Sequence, residues 1–162
     1  MKKHILSILV ENHSGVLSKI SGLFSRRGYN IESLTVGTTE DPTISRITIV
    51  AEGDNTIIEQ ITKQLNKLID VIKVQKIDTE NAVTREIALI KVSATLSNRS
   101  SIIEVVNIFR SNIIDVNDKS MIIEVTGDSK KVSAMIEMLR PFGIIEMIRT
   151  GLTALNRGNK SI

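Results

Sequence analysis

The stretch Glu11-Asn12-His13-Ser14-Gly15-Val16-Leu17 is where residue types and spacing in this 162-residue chain point most directly to chemistry. An apolar run ends at Glu11 and apolar residues resume at helical spacing from Val16. A strand therefore hands over to a helix N-terminus, whose unpaired N–H groups suit an anion such as a carboxylate. Gly15 allows close backbone approach. Asn12 carries an amide donor and an acceptor, matching the zwitterion of an α-amino acid, while Val16, Leu17 and Ile31 could line a small apolar pocket for a branched side chain. The same residues would also make an ordinary helix cap, Asn or Ser followed by a glycine turn, and the loop alone favours the cap.

Catalysis finds less support. The two histidines, His4 and His13, fall at a strand start and in a loop, without the close spacing of a zinc helix motif. There is no cysteine, which removes thiolate metal sites, cysteine nucleophiles and disulfides together and fits a reducing compartment. Glu11, Glu40, Asp41 and Asp115 fall at strand ends and turns, where carboxylates are ordinarily just solvated. No Gly-x-Ser-x-Gly elbow, phosphate loop or dinucleotide fingerprint occurs. The sequence therefore predicts no catalytic residue and no metal site.

The elements that must position the loop follow from hydrophobic period. With 41% hydrophobic and 24% charged residues the chain has material for a core and is not disordered. Ile5 to Glu11 reads as a strand, Val16, Leu17, Ile20, Leu23 and Phe24 as a helix stripe, and Asn30–Thr39 with Ile44–Glu52 as a hairpin around Glu40-Asp41-Pro42-Thr43. Ile57, Ile58, Ile61, Leu65 and Leu68 mark a second helix, and Val71 to Ile77 a fourth strand. The order is βαββαβ. After a polar stretch the pattern restarts with a strand from Arg85 to Ala94, a stripe at Ile102, Val105, Val106 and Phe109, and a hairpin from Ile113–Val116 to Met121–Thr126. A stripe at Val132, Met135, Ile136 and Leu139 and a strand from Ile144 to Thr150 complete it. The expected fold is α+β, two ferredoxin-like βαββαβ units in tandem, with residues 1–78 as the first domain, 79–84 as a linker and 85–162 as the second. Each unit covers one sheet face with helices, so the other face needs a cover, and pairing of units or of chains is expected, most simply a dimer.

This layout also hosts RNA readers, which stack bases on sheet aromatics. Phe24, Phe109 and Phe142 belong instead to helices or their ends, Tyr29 precedes a strand, and Arg26-Arg27 reads as an exposed helix terminus. A net charge of +3 makes neither half a polycation. No nucleic acid is expected as a partner. No run approaches the ~20 apolar residues of a membrane span, and Ile5–Val10 is too short for a signal-peptide core, so no membrane association and a cytoplasmic location are expected.

Leu9-Val10-Glu11-Asn12-His13-Ser14-Gly15-Val16-Leu17 resembles the ACT-domain signature that opens the small, regulatory subunits of acetolactate synthase (acetohydroxyacid synthase). The resemblance continues through Phe24 to Leu34, Asp41 to Val50 and Gln64 to Val71, and in the second half through Arg85 to Val92, Phe109-Arg110, Ile114 to Val116, Leu139 to Ile144, Arg149-Thr150-Gly151 and Asn156-Arg157-Gly158. It implies an accessory chain that raises the activity of a separate, large catalytic subunit, which converts two pyruvates to acetolactate for branched-chain amino-acid biosynthesis, and that lets valine inhibit it. Thiamine diphosphate, Mg and FAD are then expected in that catalytic subunit, with no cofactor in this chain. Carried over by position, Asn12, Gly15, Val16 and Leu17 of one chain would meet Asn30 and Ile31 of a neighbouring chain around valine in a homodimer. A free-standing ACT-domain sensor acting on a different enzyme or on a transcription factor is the alternative. His13 is not dictated by the signature. The second unit's equivalent loop, Thr95-Leu96-Ser97-Asn98-Arg99, lacks a glycine and is expected to hold no amino acid.

Overall fold

A computed structural model describes residues 2–162 and divides them into two compact units, residues up to Thr84 together with Gly151–Ile162, and Arg85–Thr150. The first unit runs β1 (Lys2–Glu11), α1 (Val16–Arg26), β2 (Ile31–Thr38), β3 (Ile44–Gly53), α2 (Asn55–Leu65) and β4 (Val71–Ile77), with antiparallel strand order β2-β3-β1-β4. β1 is central, and its side chains alternate between faces. Leu6, Ile8 and Val10 join Ile47, Ile49 and Ala51 of β3 in a core closed by Val16, Ile20 and Phe24 of α1 and Ile58, Ile61 and Leu65 of α2. Asp54 caps α2 by accepting from the Ile57 N–H at 2.8 Å.

The opposite face carries a polar row, because Ser7 pairs with Thr48 on β3 and Gln75 on β4, and Thr48 pairs with Thr35 on β2. Ser7 is fully buried all the same. In the adjoining row Ile5 and Val50 pair, Ile5 pairs with Ile77, and Val50 pairs with Ser33. The chain's own tail crosses this row. Leu152 N–H donates to Ser33 Oγ at 2.9 Å, Ala154 and Leu152 join the apolar cluster of Ile5, Val50, Ile77 and Ala82, and Asn156 Nδ2 donates to Gln75 Oε1 at 3.2 Å. Thr153–Asn156 forms β9, which pairs with β5 (Ala82–Ser93).

The second unit repeats the plan with β5, α3 (Arg99–Ile108), β6 (Asn112–Val116), β7 (Ser120–Gly127), α4 (Ser129–Leu139) and β8 (Ile144–Arg149), in the order β6-β7-β5-β8. Ala88, Ile90, Val92, Ile102, Val106, Met121, Ile123, Val125, Val132, Met135 and Leu139 form its core. Both βαββαβ units, and the α+β class, are thus as the periodicity predicts. The boundaries differ. Residues 151–162, expected in the second domain, pack with the first, because the Ile5–Val50–Ile77 row needs an apolar cover that the tail supplies. Of the expected linker, Thr79–Asn81 forms a 3-10 turn capped by Asp78, and β5 already begins at Ala82.

His4 is 3% exposed, with Nε2 3.1 Å from the Gly53 carbonyl, so Nε2 carries the donated proton and charging falls to Nδ1. Burial, then the Lys76 charge and more weakly Lys2, hold this imidazole below its usual range, against the opposing pulls of Gly53 and Asp54. The unfolded chain then binds more protons once the pH falls below ~6.5, so stability is complete above that value and is lost as the pH drops toward the folded value. Urea midpoints measured at pH 5.5 and pH 7.5 should differ in that sense, and His4→Gln should shrink the difference. An unchanged difference in the variant would exclude His4 as its source.

Candidate effector site at the start of the first helix

The loop after β1 is built around a backbone that only glycine adopts without strain. Gly15 has φ +88° and ψ −13°, and a Cβ built there would meet no described atom within 4 Å. Its carbonyl accepts from the Lys19 N–H at 3.0 Å, which starts the helix ladder. Among the described residues no side chain caps α1. The first-turn N–H groups of Val16, Leu17 and Ser18 are therefore those an anion would take, reinforced by the positive end of the helix dipole.

Asn12 reaches across to the β2–β3 hairpin. Its backbone N–H donates to Thr43 O and its Nδ2 to Pro42 O, both at 2.8 Å. One amide hydrogen is thus committed to the fold, which leaves Oδ1 to accept from a ligand ammonium. Val16 is buried in the core, so only its N–H is left to face a ligand, and Leu17, 39% exposed, is the apolar side chain open at the corner.

Asn30 is exposed just before β2, and Ile31, which opens β2, packs partly against the core. The strand register sets their distance from the loop. Ile31 pairs with Ala51 and Ala51 with His4, whereas the loop follows Glu11, seven residues further along β1. At about 3.3 Å per residue the two groups lie at opposite ends of the sheet, about 23 Å apart. One chain brings Asn12, Gly15, Val16 and Leu17 together; it does not add Asn30 and Ile31.

The comparisons with known proteins cover the chain almost completely. A family model described as the AHAS small subunit-like ACT domain matches residues 6–73, and one described as the small subunit of acetolactate synthase matches residues 85–158. A probable acetolactate synthase small subunit of Archaeoglobus fulgidus is 58% identical over 98% of this chain and 99% of its own. The Bacillus subtilis acetolactate synthase small subunit is 51% identical over 98% and 92%. The crystal structure of the Thermotoga maritima small subunit superposes with a TM-score of 0.93 at 47% identity, covering 99% of this chain and 100% of that one. This chain belongs to the acetolactate synthase small subunits. It is a regulatory partner of a catalytic subunit and not an enzyme by itself.

In this small subunit the corner is also met by a residue that nothing in the sequence singles out. Asp70, just before β4, is 7% exposed; its Oδ1 lies 2.8 Å from His13 Nε2, its Oδ2 accepts from Lys19 Nζ at 2.7 Å, and its carbonyl accepts from the Glu11 N–H at 2.9 Å. His13 therefore faces Asp70 across the corner. The hydrogen bond from Lys19 holds the Asp70 carboxyl below its usual range; burial opposes this, and the charges of Lys19 and His13 assist it. The unfolded chain then takes up more protons as the pH falls below ~4, so this contribution is complete above that value and is lost on further acidification. Asp70→Asn should speed amide hydrogen exchange at residues 12–17 at pH 6. Exchange equal to that of the parent protein would show that the corner stands without the carboxylate.

The second unit's loop is closed on itself. Asn98 Oδ1 accepts from the Thr95 N–H at 2.7 Å, and the Thr95 and Ser97 hydroxyls lie 2.8 Å apart. Its helix-entry residue, Asn98, has φ −110° where Gly15 has the left-handed conformation. Among the described residues no group of three His, Cys, Asp or Glu side chains could hold a metal ion, and no helix is long and apolar enough to cross a membrane.

Proposed function

We propose that this chain raises the turnover of a thiamine-diphosphate acetolactate synthase catalytic subunit and conveys valine inhibition to it, with valine held between two copies of the chain. The observation that carries the reading is the uncapped, glycine-opened start of α1. Valine's carboxylate would take the N–H groups that follow Gly15, its ammonium would meet Asn12 Oδ1, and its branched side chain would lie against Leu17. Asn30 and Ile31 would come from the second copy.

The 23 Å separation of those groups supports a two-fold arrangement. β2 is an edge strand running parallel to β1, since both pair antiparallel with β3. Two β2 strands paired antiparallel would bring the start of one, at Asn30 and Ile31, to the end of the other, on the same side as its Asn12–Gly15 corner. A ligand closing that pocket favours the arrangement that completes it, and this preference is the route to control. Thiamine diphosphate, Mg and FAD would reside in the catalytic subunit.

The test is reconstitution. Adding the chain to the catalytic subunit should raise turnover, valine should reduce it again, and sedimentation at micromolar concentration should give a dimer. Turnover indifferent to the chain would refute activation; a monomer that binds valine would refute the shared pocket.

A further inference from the structure

The tail that crosses the first sheet is fastened to the strand that begins at the proposed valine pocket. Ser33 Oγ, two residues after Ile31, accepts from the Leu152 N–H at 2.9 Å. Gly151 sits so tightly on β2 that an added Cβ would lie 2.8 Å from both Leu34 O and Ser33 Oγ, and nearer still to Thr35 Oγ1. Immediately before it, Thr150 is held to the second unit, its N–H donating to Ile87 O and its Oγ1 accepting from the Ile87 N–H, both at 3.0 Å. Arg149 is anchored there too, its Nε donating to Glu86 Oε2 at 2.6 Å and its Nη2 to Ser129 Oγ at 3.1 Å.

The register of β2 against β3 is irregular between Ile31 and Ser33, whereas Leu34 to Thr38 pair regularly, so the strand start is set apart from the rest of the ladder. Beside the Leu152–Ser33 hydrogen bond, Thr35 Oγ1 and Ser7 Oγ are buried in the adjoining polar row without a hydrogen-bond partner among the described residues, so Ser33 is the β2 hydroxyl that holds the tail.

We propose that Ser33 is a positioning residue through which a ligand at Asn30 and Ile31 sets the placement of Gly151–Asn156 on the first sheet. The inference rests on the valine pocket proposed above. Ser33 pairs with Val50, which belongs to the tail-side cluster, so it serves the tail without lining the pocket.

Hydrogen exchange of the full chain, with and without saturating valine, tests this by mass spectrometry. In the parent protein valine should change exchange at residues 12–17, 30–36 and 151–156 by at least about threefold. In Ser33→Ala the response at 12–17 should persist and that at 151–156 should vanish, while Ser33→Thr, which keeps the hydroxyl, should restore it. A parent protein responding at 12–17 but not at 151–156, or an Ala variant still responding at 151–156, overturns the coupling and leaves the pocket standing. No response at 12–17 removes the pocket, and the coupling with it.

Discussion

Gly15→Asp should abolish valine inhibition of the reconstituted enzyme while the chain still folds and still activates. The fold survives because a Cβ at Gly15 enters open space, and the left-handed backbone costs an L-residue about 1–2 kcal/mol, with Asp among those that tolerate it best. Binding does not survive. A carboxylate about 4 Å from the ligand's own repels it by about 4 kcal/mol at an effective dielectric of about 20, roughly a thousandfold in affinity. The new side chain also accepts from the first-turn N–H groups, as an Asp cap does, and occupies the positions the ligand needs. Gly15→Ala separates the two effects, since it carries the same backbone strain without the charge and should weaken valine far less. Inhibition that persists in Gly15→Asp at the parent valine concentration would mean that the ligand sits elsewhere.

The second large effect is on stability. Gly151→Val should lower the melting temperature by about 5–10 °C, because overpacking costs about 1–3 kcal/mol and each kcal/mol moves the midpoint about 2–4 °C in a chain of this size. One of the atoms met is the Leu34 carbonyl oxygen, which is fixed in the β2–β3 ladder and cannot rotate away as a side chain could. The tail must lift instead, breaking the Leu152–Ser33 hydrogen bond and exposing Ile5, Val50 and Ile77. Gly151→Ala should fall between the two. Calorimetry giving a shift under about 2 °C for the valine variant would show that the tail is not seated on β2 as described.

Much of this was legible before any coordinates. The apolar run of β1, the alternation in β3 and the 3.6-residue stripes of α1 to α4 locate both cores, and the Gly15 corner is visible because a glycine there interrupts a strand-to-helix handover. Val16 was equally legible as core, since it shares its stripe with Ile20, Leu23 and Phe24, and assigning its side chain to a pocket ran against that period. Asp70 was not legible, because an acid between Ile69 and Val71 looks like any solvated turn residue, and only the fold brings it to His13 and Lys19 from more than fifty positions away. The tail escaped for a similar reason. Gly151-Leu152-Thr153-Ala154 is too short and too mixed in character to announce a strand, and its reason for existing, the bare Ile5–Val50–Ile77 row, lies at the other end of the chain.

The return of residues 151–162 to the first unit makes that unit discontinuous. It cannot be excised, or traded between relatives, with a single cut in the polar stretch near residue 80: a fragment ending there leaves its sheet bare on one side and prone to self-association. A transplant that keeps the first unit intact needs two junctions, after Thr84 and after Thr150, with the second unit as the segment inserted between them.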